Sequence, residues 1–370
     1  MNTVSVAQGQ LLEQIEARKQ SLEQRNFDFG PVKIAAFWEQ DFQTLGNDLP
    51  NCLRSGTWQD KPHAELIVSP PLFRELRKRN FEGQIYRTKY WKVASISASN
   101  GSQQWVCNPR ITPRTCFARA LPEQAFRFTN KLFMSYWELL AVDLSYYVLR
   151  GTKDHLLSAG ATLAHAAALS NRLGDVLLIC GPPGVGKTTI STYFASKDDW
   201  KIIADDFVVV TQAGRVYGSG MPAYIRNNIR NGSYMPPYIR EGLHENWLDR
   251  LHSSLYPVFK PSAAPARRIQ LPKNVSKLFG NAKVCFVIVI HNFSKELSVE
   301  QVSSDEAAYL SVERTLDTVK GYQADQDSIA MEKILRLTLK NAQCYKVRMS
   351  AHYKGSGLVH EIRDILTKEV

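Results

Sequence analysis

The sequence has no cysteine pair in C-x-x-C spacing, no internal repeat and no low-complexity tract. Its six cysteines (Cys52, Cys107, Cys116, Cys180, Cys285, Cys344) are scattered singly, which excludes a zinc-ribbon or thioredoxin-type motif. That usage predicts reduced thiols in a cytoplasmic protein. Long apolar runs are also missing. The longest are VCFVIVI (284–290), too short for a bilayer, and ELLAVDLSYYVL (138–149), which carries Asp143. No membrane association is expected. The opening residues, MNTVSVAQGQLLEQIEAR, have no basic stretch followed by an apolar one, so no signal peptide is expected. Acidic residues are the scarcer sign, 35 against 46 basic, giving a net charge of +11.

A basic balance asks for an acidic partner, either nucleic acid or an anionic substrate. No recognised nucleic-acid module is present, so that reading rests on charge alone. One basic cluster stands out: Arg74, Arg77, Lys78 and Arg79, followed by Arg87, Lys89 and Lys92 with aromatics between them. On a helix, Arg74, Arg77 and Lys78 share one face, either an anion-binding surface or a solvated one. Nothing in the composition fixes the oligomeric state.

At 370 residues, with 44% hydrophobic and 22% charged, the chain is long enough for two domains with sizeable cores. Residues 6–25 carry Leu11, Leu12, Ile15 and Leu22 at helical spacing, predicting an amphipathic helix. From 31 to about 125 the chain breaks into short β-like pieces, predicting a small α+β or β-rich domain over 1–140. Residues 129–149 predict a long helix, with the stretch HLLSAGATLAHAAALS following it. Beyond it come LGDVLLICG as a buried strand, KTTISTYFA as a helix and WKIIADDFVVV as another strand. Strand, glycine-rich turn, helix and strand predict an α/β P-loop domain over 141–370. VCFVIVI and CYKVRMSA read as further strands, SDEAAYLSVERTL as a helix capped at Ser304, and SGLVHEIRDILTKEV as a closing helix.

Gly181, Gly186, Lys187 and Thr188 satisfy G-x-x-x-x-G-K-[ST], the Walker A spacing. The segment Gly181, Pro182, Pro183, Gly184, Val185, Gly186, Lys187, Thr188 and Thr189 is therefore the expected cradle for a nucleoside triphosphate. Its backbone N–H groups and the following helix N-terminus suit phosphate oxygens. Lys187 would neutralise β/γ charge, and Thr188 would reach Mg²⁺. Pro182 and Pro183 remove two donors, but only at the start of the loop.

Asp205 and Asp206 follow the next strand. A P-loop protein needs one acidic residue there for Mg²⁺. A second is useful where an acceptor hydroxyl must lose its proton. The pair thus favours phosphoryl transfer to a hydroxyl over hydrolysis. Asp198 and Asp199 are a rival pair, but they precede the strand and suit a solvated turn. No LSGGQ-like signature and no N-K-x-D occurs, which disfavours ABC-type ATPases and GTPases.

LAHAAAL (163–169), VLLICGPPGVGKTT and IIADDFVVV together resemble the HPr kinase/phosphorylase-related kinases, whose core is shared with ATP-dependent phosphoenolpyruvate carboxykinase. The order that follows is similar too: Gly220-Met221-Pro222, then Arg267-Arg268 ahead of Pro272, then VCFVIVI. The resemblance covers roughly 140–365. It implies ATP and Mg²⁺ as cofactors, Asp205 as general base, Asp206 with Thr188 on the metal, His165 near the nucleotide phosphates, and Arg268 or Arg267 on the transferring phosphate. The two aspartate roles are open to exchange, and a histidine simply packed on a helix is the rival reading of His165. The chain departs from true HPr kinases, with GPPGVGKTT for GDSGVGKSE and no E-x-R-G-x-G motif, so HPr itself is not the expected acceptor. The irregular segment 224–272 reads as a lid or insertion, with Arg226, Arg230 and Arg240 as its candidates for the substrate. The expected function is that of an ATP-dependent kinase acting on a hydroxyl of a small molecule or of a serine in a peptide or protein. The alternatives are a nucleotide-binding regulator or NTPase and a nucleic-acid-directed kinase.

Overall fold

The structure, a computed structural model, describes residues 6–49, 53, 55–78, 83–97, 101–110, 136–171, 173–183, 185–197, 200–218, 223–226, 266–269, 283–294, 298–318 and 326–350. The predicted closing helix near the C-terminus lies outside these residues. The chain is mixed α/β, with two compact units, Met1–His155 and Leu156–Val370. Each contains a sheet with parallel strands.

The first unit is built on six strands: β1 (Glu23–Phe29), β2 (Val32–Trp38), β3 (Ala64–Val68), β4 (Gln84–Arg87), β5 (Trp91–Ser97) and β6 (Gln103–Pro109). Their order is β1-β2-β3-β6-β5-β4, with the central β2, β3 and β6 mutually parallel. Strands buried on both faces read as continuous apolar runs. AELIV is such a run, buried at all five positions. On one face, α1 (Val6–Lys19) and α3 (Pro70–Lys78) bury Ile15, Leu72, Phe73 and Leu76 against Phe37, Ile67, Ile96 and Val106. On the other lie α2 (Gln43–Asp48) and α4 (Tyr136–Gly151). There Gly46 sits under the Trp38 indole, and Trp91 Nε1 donates to Leu140 O at 3.0 Å. The predicted helix over 6–25 ends at Lys19, yet Leu22 still packs on the same cluster. Arg74, Arg77 and Lys78 are exposed on α3, the pattern of a solvated face, while Leu72, Phe73 and Leu76 are buried.

A short helix, α5 (Lys153–Ser158), spans the boundary between the units. In the second unit β7 (Ala161–Ala164) and β8 (Ala166–Ser170) occupy the stretch containing LAHAAAL, so the histidine there is not on a helix. They precede β9 (Asp175–Cys180), α6 (Lys187–Lys197), β10 (Lys201–Ala204), β11 (Val208–Thr211) and β12 (Val216–Gly218). Then come β13 (Ala223–Arg226), β14 (Ala266–Ile269), β15 (Lys283–Ser294), β16 (Ser298–Val302), α7 (Ser304–Thr318), α8 (Gln326–Leu339) and β17 (Gln343–Ser350). The main sheet runs β10-β8-β9-β15-β17-β16, with β9, β15 and β17 parallel. A three-stranded sheet, β12-β11-β7, lies in the same core. Val176, Leu178, Cys180, Val287 and Val289 meet Ala307, Ala308 and Leu310 of α7 and Met331 and Leu335 of α8 there. The α7 cap is Ser303, whose Oγ accepts the Glu306 N–H at 3.1 Å, one residue before the expected Ser304.

Candidate active site

Strand directions gather the site. β8 runs antiparallel to both of its neighbours, β9 and β10. The last residues of β9 and β10 and the first residue of β8 therefore lie at one end of the sheet. The register places Ala166 opposite Cys180 and Ala204 opposite Ala168. The residues just beyond are Gly181, Asp205 and His165. Three segments far apart in sequence thus emerge side by side because of pairing alone.

The loop after β9 needs its glycines. A Cβ on Gly181 would lie 3.0 Å from Val185 Cγ1 and 3.2 Å from Ile290 O, so a side chain there presses on the neighbouring strand. Gly186 has φ of 104°, a region that L side chains rarely adopt. Pro182 is half-buried, Pro183 is exposed, and Val185 is buried. Gly184 lies outside the described residues. Lys187 opens α6 and is buried; its Nζ donates to the carbonyl oxygens of Gly181 (2.9 Å) and Pro182 (3.2 Å). Burial pushes the Lys187 ammonium below its usual pKa, and the carboxylates of Asp206 and Asp205 oppose that shift. Thr188 and Thr189 follow in the first turn, each half-buried.

The two aspartates face different partners. Thr188 Oγ1 donates to Asp205 Oδ2 at 2.9 Å, and Asp205 is buried. Asp206 is more open, its side chain 29% exposed, and its Oδ1 lies 2.9 Å from His165 Nε2. An ionised carboxylate only accepts, so the His165 ring nitrogen donates. The His165 ring also stacks at a tilt on Phe207, with centroids 5.4 Å apart. His165 is 2% exposed and occupies the single residue between β7 and β8.

Lys187, Thr188, Asp205, Asp206 and His165 are thus brought together. Arg267 and Arg268 lie on β14, which pairs antiparallel with β13 (Tyr224 opposite Arg268, Ile225 opposite Arg267). β13 lies against α6, so the two ends of the 224–272 segment meet beside the helix that follows the loop. The side chains of Arg226, Arg267 and Arg268, and all of Arg230 and Arg240, lie outside the described residues.

Sequence reading missed two residues. Thr315, on α7, accepts the His165 backbone N–H at 2.9 Å, and Phe207 stacks on the His165 ring. A threonine within an amphipathic helix carries no signal. Phe207 had a weak one, an aromatic directly after two aspartates.

The donors suit a hard divalent cation. Thr188 Oγ1 and Asp205 Oδ2 are adjacent oxygens at the first turn of α6. No cluster of three or more His, Cys, Asp or Glu with metal-holding geometry occurs among the described residues. No protein-family model matches the chain, and no curated protein matches it. No helix among the described residues is long and apolar enough to cross a membrane.

Proposed function

We propose that this chain is an ATP- and Mg²⁺-dependent kinase with a P-loop domain of the HPr-kinase and phosphoenolpyruvate-carboxykinase type, transferring the γ-phosphoryl to a hydroxyl. The observation that carries the reading is the division between the adjacent aspartates. One is buried against the P-loop threonine, and the other is open and held by a histidine. The open carboxylate is placed to take the proton of an attacking hydroxyl; water would ask the same of it, and the acceptor assay below separates the two.

The same hydrogen bonds favour one of the two assignments that the resemblance leaves open. Asp205, with Thr188, would hold Mg²⁺; Asp206 would act on the acceptor. Magnesium, when bound, neutralises charge on the phosphate oxygens. Lys187 leaves the carbonyls of Gly181 and Pro182 and meets the β/γ oxygens. Asp206 accepts the acceptor's hydroxyl proton as the new O–P bond forms and the bond to the β-phosphate oxygen breaks. His165 donates to Asp206 and keeps its carboxylate aimed. Arg268 or Arg267, at the base of the 224–272 segment, is the candidate cation for the transferring group.

The test is incubation with γ-labelled ATP and Mg²⁺ against pools of hydroxyl-bearing small molecules and serine peptides. Magnesium-dependent label on an acceptor is expected. Label only in inorganic phosphate, whatever the pool, would make the chain an NTPase or nucleotide-binding regulator instead.

A further inference from the structure

We propose that Thr315 is a positioning residue of this site, setting the orientation of His165 and through it the Asp206 carboxylate. The proposal takes its purpose from the phosphoryl-transfer reading, but its geometry stands independently.

The chain changes sheets at His165. Ala164 pairs with Val208 in the three-stranded sheet, and Ala166 pairs with Cys180 in the six-stranded one. Between the two ladders the His165 N–H needs an acceptor, and burial forbids water as an easy substitute. Thr315 Oγ1 supplies it at 2.9 Å from 150 positions away, and its own hydroxyl donates to Ser311 O at 2.8 Å. The hydroxyl thus donates once and accepts once, and the two bonds together hold its rotamer. Thr315 is fully buried. The backbone at His165 is thus tied to a turn of α7 rather than to the loops of the site.

Fixing that backbone fixes the ring. His165 reaches Asp206 at 2.9 Å and Phe207 at 5.4 Å, two contacts made by consecutive residues of the β10–β11 turn. A shift at the junction of about an ångström is enough to break a hydrogen bond of this length. The same helix also packs beside the start of the P-loop: Ala307, Ala308 and Leu310 share the core cluster of Cys180, the residue immediately ahead of it. One helix thus packs against the strand that enters the phosphate loop and bonds the histidine.

The test reads the His165 ring directly. In the full-length chain, the hydrogen-bonded Nε2–H proton of His165 is followed by NMR and assigned by its loss in His165→Gln. In Thr315→Val that proton is expected to exchange with water roughly tenfold faster or to vanish, the consequence of losing one hydrogen bond's worth of orientation. Thr315→Ser, which keeps the oxygen, is expected to restore it. If Thr315→Val does not fold, Thr315→Ala supplies the same comparison. An unchanged His165 signal in a folded Val or Ala variant overturns the proposal. So does a Ser variant that fails like Val. Transfer of γ-label is scored separately: no transfer in the wild-type chain refutes the kinase reading, while the NMR outcome still decides whether Thr315 positions His165.

Discussion

Thr188 Oγ1 donates to Asp205 Oδ2 at 2.9 Å, joining the first turn of α6 to the end of β10. The two oxygens that would share a magnesium ion are already held beside each other. The neighbouring Asp206 is committed to His165 instead.

From that division, Asp205→Asn is expected to raise the Mg²⁺ concentration needed for nucleotide binding. Asp206→Asn is expected to bind ATP·Mg²⁺ nearly normally but to lose about 10²–10⁴-fold in transfer rate, the usual worth of a general base. Nucleotide titrations across Mg²⁺ concentrations and single-turnover transfer on both variants check this. If both lose metal dependence and transfer together, the carboxylates form one metal site.

Lys187→Ala is expected to lower the rate of productive triphosphate use by roughly 10²–10³-fold, as for loss of one preorganised donor to developing charge. Stability is expected to change little. The buried ammonium is held below its ordinary pKa by burial, so its removal relieves a desolvation cost even as Gly181 and Pro182 lose a hydrogen-bond donor. Turnover and thermal unfolding, measured together, separate the two effects.

His63 gives the first unit an acid-sensitive point. Its Nδ1 accepts the Lys33 N–H at 3.1 Å, and its ring meets that of His155 with centroids 5.8 Å apart. Protonation would place a proton on the accepting nitrogen. Burial, then His155 and Lys33, hold the His63 pKa below the ordinary histidine value of about 6.5. The unfolded chain therefore takes up this proton first as pH falls. The stabilisation is complete above that unfolded value and is lost as pH drops from there through the lowered folded value. Urea midpoints between pH 8 and 5 should fall towards acid, and His63→Asn, which keeps an acceptor, should fall less.

Lys19 and Glu65 form an ion pair with N–O distance 2.7 Å and side chains 10% and 11% exposed. Gln104 Nε2 donates to the same carboxylate at 2.7 Å. Lys19→Met strands Glu65 and is expected to cost about 3–5 kcal/mol, whereas Lys19→Met with Glu65→Leu should recover most of it. Denaturant unfolding of the wild type and both variants is the measurement. Equal stability of the single and double variants would contradict it.

Gly46→Ala is expected to destabilise the first unit by about 1–3 kcal/mol. The new Cβ would lie 2.3 Å from Trp38 Cε2, and Trp38 cannot swing aside, because it is buried and its Nε1 donates to Glu23 at 3.0 Å. A lowered melting temperature with unchanged nucleotide binding is the expected result.

The sequence by itself determined what depends on neighbouring residues. The loop from Gly181 to Thr188 was legible because phosphate binding demands glycines and a lysine at fixed local spacing. Asp205 and Asp206 were legible because they follow an apolar strand. VCFVIVI and AELIV were legible because strands covered on both faces are uniformly apolar. Tertiary structure decided what depends on pairing. LAHAAAL looks like a helix segment, because small apolar residues suit a helix as well as a buried strand. Only the ladders with Val208 and Cys180 split it into two strands, with His165 at the break. Short apolar pieces look alike in sequence whether they pair parallel or antiparallel, so the parallel β2-β3-β6 centre of the first unit could not be read from them. Thr315 was beyond reach for the same reason. Its hydroxyl meets His165 across 150 residues, and no local pattern records a hydrogen bond made only when two sheets and a helix have packed.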